Sequence, residues 1–286
     1  MSVNGSSTLL KSLLLRSREH RSPCGDGELV WREWGSSNTS KRPLILLHGG
    51  FGSWNHWVRT IPALESNFRL LAVDLPGCGD SADPPKPYDA ASLVEILSCG
   101  LDHILPGEIT FNLISFSFGG VLSGLLAQAQ SARVHSLTLI GSPILGLTGS
   151  GPANELLEVS QELSIDKAIP LYRHNLQKLM IYNPDAVDDL ALTIQIDNMA
   201  KARLRSRGIA RTSVLADSLR NLPCSLNCIF GDKDTTLDPH LAGIRAYVKE
   251  IHPSASFHII PDAGHWVQFE AWGQVNLLLT EILNNN

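Results

Sequence analysis

A strand-like apolar run passes abruptly into a helical one in the string Ile114-Ser115-Phe116-Ser117-Phe118-Gly119-Gly120. A serine on so sharp a turn is lifted clear of the sheet, with its hydroxyl at the N-terminus of the helix. The strain of the turn calls for small residues two positions either side. Ser115 and Gly119 meet that need, although a string of this kind also suits a plain strand-to-helix turn. Two later segments supply partners: Phe230-Gly231-Asp232-Lys233-Asp234 and Ala263-Gly264-His265-Trp266, each after a strand-like run. Serine is a weak nucleophile and needs a base to take its proton, and histidine serves near neutral pH. A buried carboxylate must then fix the imidazole tautomer and stabilise the imidazolium. Ser117, Asp234 and His265 are therefore the candidate catalytic residues. Asp232 is the rival acid, but its earlier place in the loop should aim it away from the histidine.

A fourth element is Leu46-Leu47-His48-Gly49-Gly50-Phe51-Gly52-Ser53. Its glycines let the backbone approach a ligand and turn N–H groups toward it. An oxyanion hole is expected from the N–H of Phe118, next after the nucleophile, and that of Gly50, with Phe51 the second choice for the loop donor. His48 is expected to order the loop through hydrogen bonds. A phosphate-binding loop is the competing reading. It fails because there is no Gly-Lys-Ser/Thr and no dinucleotide fingerprint. Phe51, Phe116, Gln195 and Trp266 are the candidate substrate contacts.

These groups need a scaffold that brings strand ends together. Glu28–Trp34, Pro43–Leu47, Arg69–Val73, Thr110–Ile114 and His135–Ile140 read as strands, with helical patterns at Trp54–Leu64, Ala90–Leu105 and Phe118–Gln130. Short apolar runs separated by helices indicate an α/β fold, a mostly parallel sheet with helices on both faces. From Pro143 to about Arg211 no convincing strand appears. Gly146, Gly149, Gly151 and Pro152 loosen the chain, and helices are expected at Ile169–Ile181 and Ala186–Leu204. Alternation resumes with strands at Ser225–Phe230 and Ser256–Ile260 and helices near Pro239–Ile251 and from about Val267. The expected organisation is a core of residues 1–142 and 212–286 interrupted by a helical cap, 143–211. Ile144, Leu145, Leu147, Leu176, Leu179, Met180 and Ile181 would pack the cap and in part roof the site.

The His48-Gly49-Gly50 loop, the Asp74-Leu75-Pro76-Gly77-Cys78-Gly79-Asp80-Ser81 turn, the Ser117 elbow, Gly231–Asp234 and Gly264-His265-Trp266 together resemble an α/β-hydrolase with a helical cap. The resemblance spans about residues 28–284. The usual elbow has glycine where Ser115 stands. Gly264-His265-Trp266-Val267-Gln268-Phe269-Glu270 is similar to the histidine segment of hydrolases that cleave carbon–carbon bonds in ring meta-cleavage products. Asp197-Asn198-Met199 loosely resembles their cap helix. That subgroup usually has asparagine where Phe116 stands, and a cap arginine where the register through Asp197-Asn198-Met199 places Gln195. A neutral Gln195 implies a preference for neutral over dianionic substrates. Arg203, eight residues on, is the first candidate to replace the cation, while Arg203, Arg205 and Arg207 together also read as a solvated face.

The 286 residues are 43% hydrophobic and 18% charged, with 23 Lys+Arg against 28 Asp+Glu. That composition suits a globular chain large enough to bury a core without disulfides or metals. The net charge of −5 removes the electrostatic case for non-specific nucleic-acid binding. No apolar run approaches the roughly 20 residues of a membrane span. Leu9-Leu10-Lys11-Ser12-Leu13-Leu14-Leu15 lacks a preceding positive region, which is the wrong order for a secretory signal. It reads as an amphipathic helix packed on the body, with docking at a membrane surface as the alternative. The cysteines Cys24, Cys78, Cys99, Cys224 and Cys228 are odd in number and contain no Cys-x-x-Cys pair, which fits buried thiols in a reducing, cytoplasmic compartment. No metal-ligand spacing is present, so no metal and no organic cofactor is expected. The leading expectation is a serine hydrolase for a small, partly apolar ester, lactone or thioester. The alternatives are carbon–carbon bond hydrolysis of a dienone on the same triad, and a non-catalytic ligand-binding protein on the same fold.

Overall fold

The computed structural model describes residues 3–36, 40–146, 155–160 and 162–285. Helix α1 (Val3–Arg16) precedes a hairpin of β1 (Arg18–Cys24) and β2 (Gly27–Trp34). The sequence reading missed β1. Its residues, Arg-Glu-His-Arg-Ser-Pro-Cys, are mostly polar, as suits an edge strand that only one neighbour supports. Next come β3 (Leu44–Leu47), a 3₁₀ turn at Trp54–Trp57, α2 (Ile61–Leu64), β4 (Leu70–Val73), α3 (Ala90–Ile104), β5 (Phe111–Phe116), α4 (Phe118–Ala129) and β6 (Val134–Ile140). The single helix expected over Trp54–Leu64 is therefore two short turns.

The sheet has eight strands in the order β1-β2-β4-β3-β5-β6-β7-β8, with β7 (Ser225–Gly231) and β8 (Ser256–Ile260) closing the far side. β1–β2 and β2–β4 pair antiparallel, and every other pair is parallel. The central strands are buried along their whole length, because helices cover both faces. Alternation sorts their side chains. Ile45, Leu47, Phe111 and Leu113 join the cluster under α3, α4 and α9 (Leu241–Ile251). Leu44, Leu46, Ile114 and Phe116 join the opposite one, which holds Leu13 of α1 and Leu279 of the C-terminal helix (Trp272–Asn285). Trp34 anchors α1 by donating its indole N–H to the Leu13 carbonyl at 2.8 Å. Asp89 and Ser92 form a reciprocal capping box that starts α3.

Between β6 and β7 the described chain is helical: α5 (Ile165–Leu179), α6 (Asp189–Lys201), α7 (Arg207–Ala210) and α8 (Val214–Leu219). The helix expected over Ala186–Leu204 is shorter, because Ala202 turns extended at ψ 116° and ends α6. Leu147, Gly149, Gly151 and Pro152 lie outside the described residues. Among the described residues no helix is long and apolar enough to cross a membrane. Cys228 is buried and Cys224 half-buried; burial raises both thiols, that of Cys224 to about 12.

Candidate active site

The loops leaving β3, β5, β7 and β8 meet at one edge of the sheet, the carboxyl ends of these parallel strands, where open α/β sheets place ligands. Ser117 sits between β5 and α4 at φ 50°, a left-handed conformation rare for a residue with a side chain. Its backbone N–H donates to the Ile140 carbonyl at 2.9 Å, and its carbonyl accepts from Gly120 at 2.9 Å, so neighbours on both sides hold the strain. Gly119 packs against β3: a Cβ there would stand 2.6 Å from the carbonyl oxygens of Leu47 and His48. Ser115, where the usual elbow has glycine, is fully buried and satisfied. Its hydroxyl lies 2.9 Å from Ser123 Oγ, which donates to the Gly120 carbonyl at 2.8 Å.

Ser117 Oγ lies 2.9 Å from His265 Nε2, and His265 Nδ1 lies 2.7 Å from Asp234 Oδ2. Both partners are buried, Asp234 at 3% exposure and His265 at 6%. The other carboxylate oxygen of Asp234 accepts from the backbone N–H of Thr236 at 2.9 Å and from its hydroxyl at 2.6 Å. The hydroxyl is also 3.1 Å from His265 Nδ1. Thr236 escaped the sequence reading; its place two residues after the acid was the available signal. Asp232 pairs instead with Lys233 Nζ at 3.0 Å. The imidazole of His265 packs on Phe116, ring centroids 5.0 Å apart.

The glycine loop after β3 rests on two buried histidines. His48 accepts from the Leu75 backbone N–H at 2.9 Å through Nε2, so its Nδ1 carries the proton and donates to the Gly49 carbonyl at 2.7 Å. His56 Nδ1 accepts from the Gly49 N–H at 3.3 Å. Burial lowers His48 to about 4 and His56 well below the ordinary histidine value, so both are neutral props at neutral pH. Among the described residues, the N–H groups of Gly50, Phe51 and Phe118 have no acceptor.

A cavity of about 210 Å³ opens over Ser117. Gly49, Gly50, Phe51, Phe116, Phe118, Thr236 and His265 line its floor and walls. Leu156, Leu179, Met180, Ser206, Arg207, Ala210 and Arg211, all from between β6 and β7, line the rest. Leu179 and Met180 are thus the two roof residues of the expected set. Ile144, Leu176 and Ile181 are buried in the core clusters instead.

Two expected substrate contacts are not among the lining residues. Trp266 is wholly buried: its backbone N–H is tied to the Met180 carbonyl at 2.7 Å, and its indole stacks on Phe269 and donates to the His56 carbonyl at 3.2 Å. Gln195 is half-buried on α6, away from the cavity wall. Arg203 is also committed elsewhere, to Asp83 at 2.6 Å and to the Ser81 carbonyl. The positive charge at the cavity comes from Arg207 and Arg211. The expected preference for neutral substrates rested on Gln195 standing where the resembled subgroup has a cap arginine, whereas α6 ends at Ala202 and the short helix α7 that follows lies at the cavity. Asn198 is a strut between α6 and the loop after β3. It donates to Asn55 Oδ1 at 2.9 Å and accepts from Ser53 Oγ at 2.8 Å.

A mostly parallel eight-stranded sheet with a serine, a histidine and a carboxylate in series at its carboxyl edge defines an α/β-hydrolase architecture. The chain belongs to the alpha/beta hydrolase family, whose model matches residues 44–276. It is 30% identical over 273 residues to the dihydrolipoyllysine-residue acetyltransferase component of the acetoin cleaving system of Pseudomonas putida, covering 90% of this chain and 67% of that one. It is 26% identical over 282 residues to a 2-hydroxy-6-oxononadienedioate/2-hydroxy-6-oxononatrienedioate hydrolase of Cupriavidus pinatubonensis, covering 91% and 93%. An esterase from Rhodococcus sp. shares the fold with a TM-score of 0.76 at 21% identity, over 94% of this chain and 98% of that one.

Proposed function

We propose that the protein is a serine hydrolase of small, partly apolar carboxylic esters. The observation that carries this reading is the unbroken series Ser117 Oγ, His265 Nε2, His265 Nδ1, Asp234 Oδ2, with links of 2.9 and 2.7 Å, beneath a cavity. Ser117 Oγ attacks the ester carbonyl carbon as His265 Nε2 takes its proton, and Asp234 stabilises the imidazolium. The N–H groups of Gly50 and Phe118 hold the tetrahedral oxyanion. Collapse expels the alcohol, which takes the proton from His265. Water, deprotonated by His265, then attacks the acyl carbon, and as the acid leaves the proton returns from His265 to Ser117 Oγ. The chemistry needs no cofactor. Residues 143–211 act as a cap that selects the substrate over a core of 1–142 and 212–286. The cavity of about 210 Å³ favours a compact substrate.

Hydrolysis of a carbon–carbon bond in an acidic dienone is the second reading, on the same triad. It is favoured by the full-length relative named for that chemistry and by the two cavity arginines. The test is turnover of short-chain methyl esters and of a meta-cleavage dienone by the wild type and by Ser117→Ala. The expected result is wild-type ester hydrolysis that falls by on the order of 10⁶-fold in kcat in the variant. Comparable turnover by Ser117→Ala would overturn the nucleophile assignment, and a preference for the dienone would promote the second reading.

A further inference from the structure

We infer that Ser206, Arg207 and Arg211 form an anion-binding subsite at the mouth of the cavity, which takes a carboxylate at the end of the substrate remote from the scissile bond. This deepens the ester-hydrolase reading and rests on it. Residues 206 and 207 lie directly over the loop after β3. Ser206 Oγ is 2.7 Å from where a Cβ on Gly50 would stand, and the guanidinium of Arg207 is 5.5 Å from the centre of the Phe51 ring. Ser206 is 3% exposed and lines the cavity, yet among the described residues its hydroxyl has no hydrogen-bond partner. Facing the cavity, that hydroxyl is free to donate to a group bound there.

Arg207, Ala210 and Arg211 face the cavity together, because residues three and four apart share one side of a helical turn. Both arginines are exposed, and among the described residues neither has a carboxylate partner. The described lining holds no aspartate or glutamate at all, in a chain whose acids outnumber its Lys+Arg by 28 to 23. Two like charges one turn apart repel each other. A carboxylate between them and Ser206 removes that repulsion, gives the hydroxyl its acceptor and suits the forked geometry of arginine. The guanidinium of Arg207 is within cation–π range of Phe51 and has no carboxylate partner among the described residues, so its N–H groups remain to be taken by such a group.

The test compares monomethyl succinate with methyl 4-methylpentanoate, in which an isopropyl group replaces the carboxylate. The expected result is that Arg207→Gln/Arg211→Gln lowers the ratio of kcat/KM for acid over neutral ester about tenfold, as two partly exposed charged contacts are lost. Arg207→Lys should recover part of the ratio, Ser206→Ala should lower it a few fold, and rising ionic strength should shrink it. If the arginines serve only to stack and pack, both esters lose equally and the ratio stays within about twofold of wild type, which overturns the inference. Binding of succinate to Ser117→Ala, with and without the two glutamines, separates the layers. If neither ester turns over in the wild type, the ester-hydrolase reading fails on its own. The subsite then stands if the double substitution weakens succinate binding about tenfold, and falls if affinity is unchanged.

Discussion

Replacing Asp234 by asparagine tests whether the carboxylate sets the tautomer of His265. The structure dictates how the new amide would lie. One oxygen of Asp234 already accepts two hydrogen bonds from Thr236, at 2.9 and 2.6 Å, so the amide oxygen of asparagine belongs there. Its NH₂ is then left where Oδ2 stood, 2.7 Å from His265 Nδ1. Facing a donor, Nδ1 becomes the acceptor and the ring proton moves to Nε2. Nε2 then points a hydrogen at Ser117 and can no longer take its proton. Loss of the orienting carboxylate in serine proteases costs roughly 10⁴-fold, or about 5 kcal/mol of barrier. Asp232→Asn removes only a half-exposed pair with Lys233, worth about 0–1 kcal/mol, and should change kcat by less than about fivefold. Steady-state hydrolysis of a methyl ester, with thermal melts to show that both variants fold, reads the difference. Activity of Asp234→Asn within about tenfold of wild type, or a larger loss from Asp232→Asn, would refute the reasoning.

Gly119→Ala should destabilise the protein by about 1–3 kcal/mol and lower activity, because its Cβ would meet the backbone oxygens of Leu47 and His48 at 2.6 Å. A melting temperature equal to wild type would show that the elbow is not so tightly packed. Stability should also fall on acidification from pH 6.5 toward pH 5. His48 and His56 are held neutral by burial but protonate in the unfolded chain, so their contribution is complete above the unfolded value of 6.5 and drains as pH drops toward the folded value, about 4 for His48. Each histidine withdraws about 1.4 kcal/mol per pH unit within that window. Urea midpoints at pH 7.5 and 5 measure it, and equal midpoints would contradict the burial argument.

The residues of the core announce themselves because parallel strands buried on both faces are unbroken apolar runs, and because a strained turn, a histidine and an acid recur at strand ends in one order. Gly50, Phe51, Phe116, Ser117, Phe118 and His265 all line the cavity, and Asp234 lies behind His265. The stretch between β6 and β7 was harder to read, because periodicity locates α5 and α6 but does not reveal the break at Ala202 that brings α7 to the cavity. Gln195 was placed at the site by a register drawn through Asp197-Asn198-Met199, which does not say which face of α6 meets the cavity, and Arg211 lies beyond the break. Trp266 misled because its neighbour His265 is functional. Tying the Trp266 N–H to Met180 sends the indole into the core, a tertiary contact no local pattern records. Ser206 and Thr236 are single small polar residues in loops, and only their neighbours in space give them meaning.

The most direct test of the central claim is to treat the protein with an alkyl fluorophosphonate, which reacts with activated serine, and to locate the adduct by peptide mass spectrometry. The expected result is a single adduct on Ser117, absent from Ser117→Ala and formed far more slowly in His265→Ala, since the 2.9 Å contact between the two residues is what activates the hydroxyl. An adduct on another serine, or labelling of Ser117 at an unchanged rate without His265, would contradict the assignment.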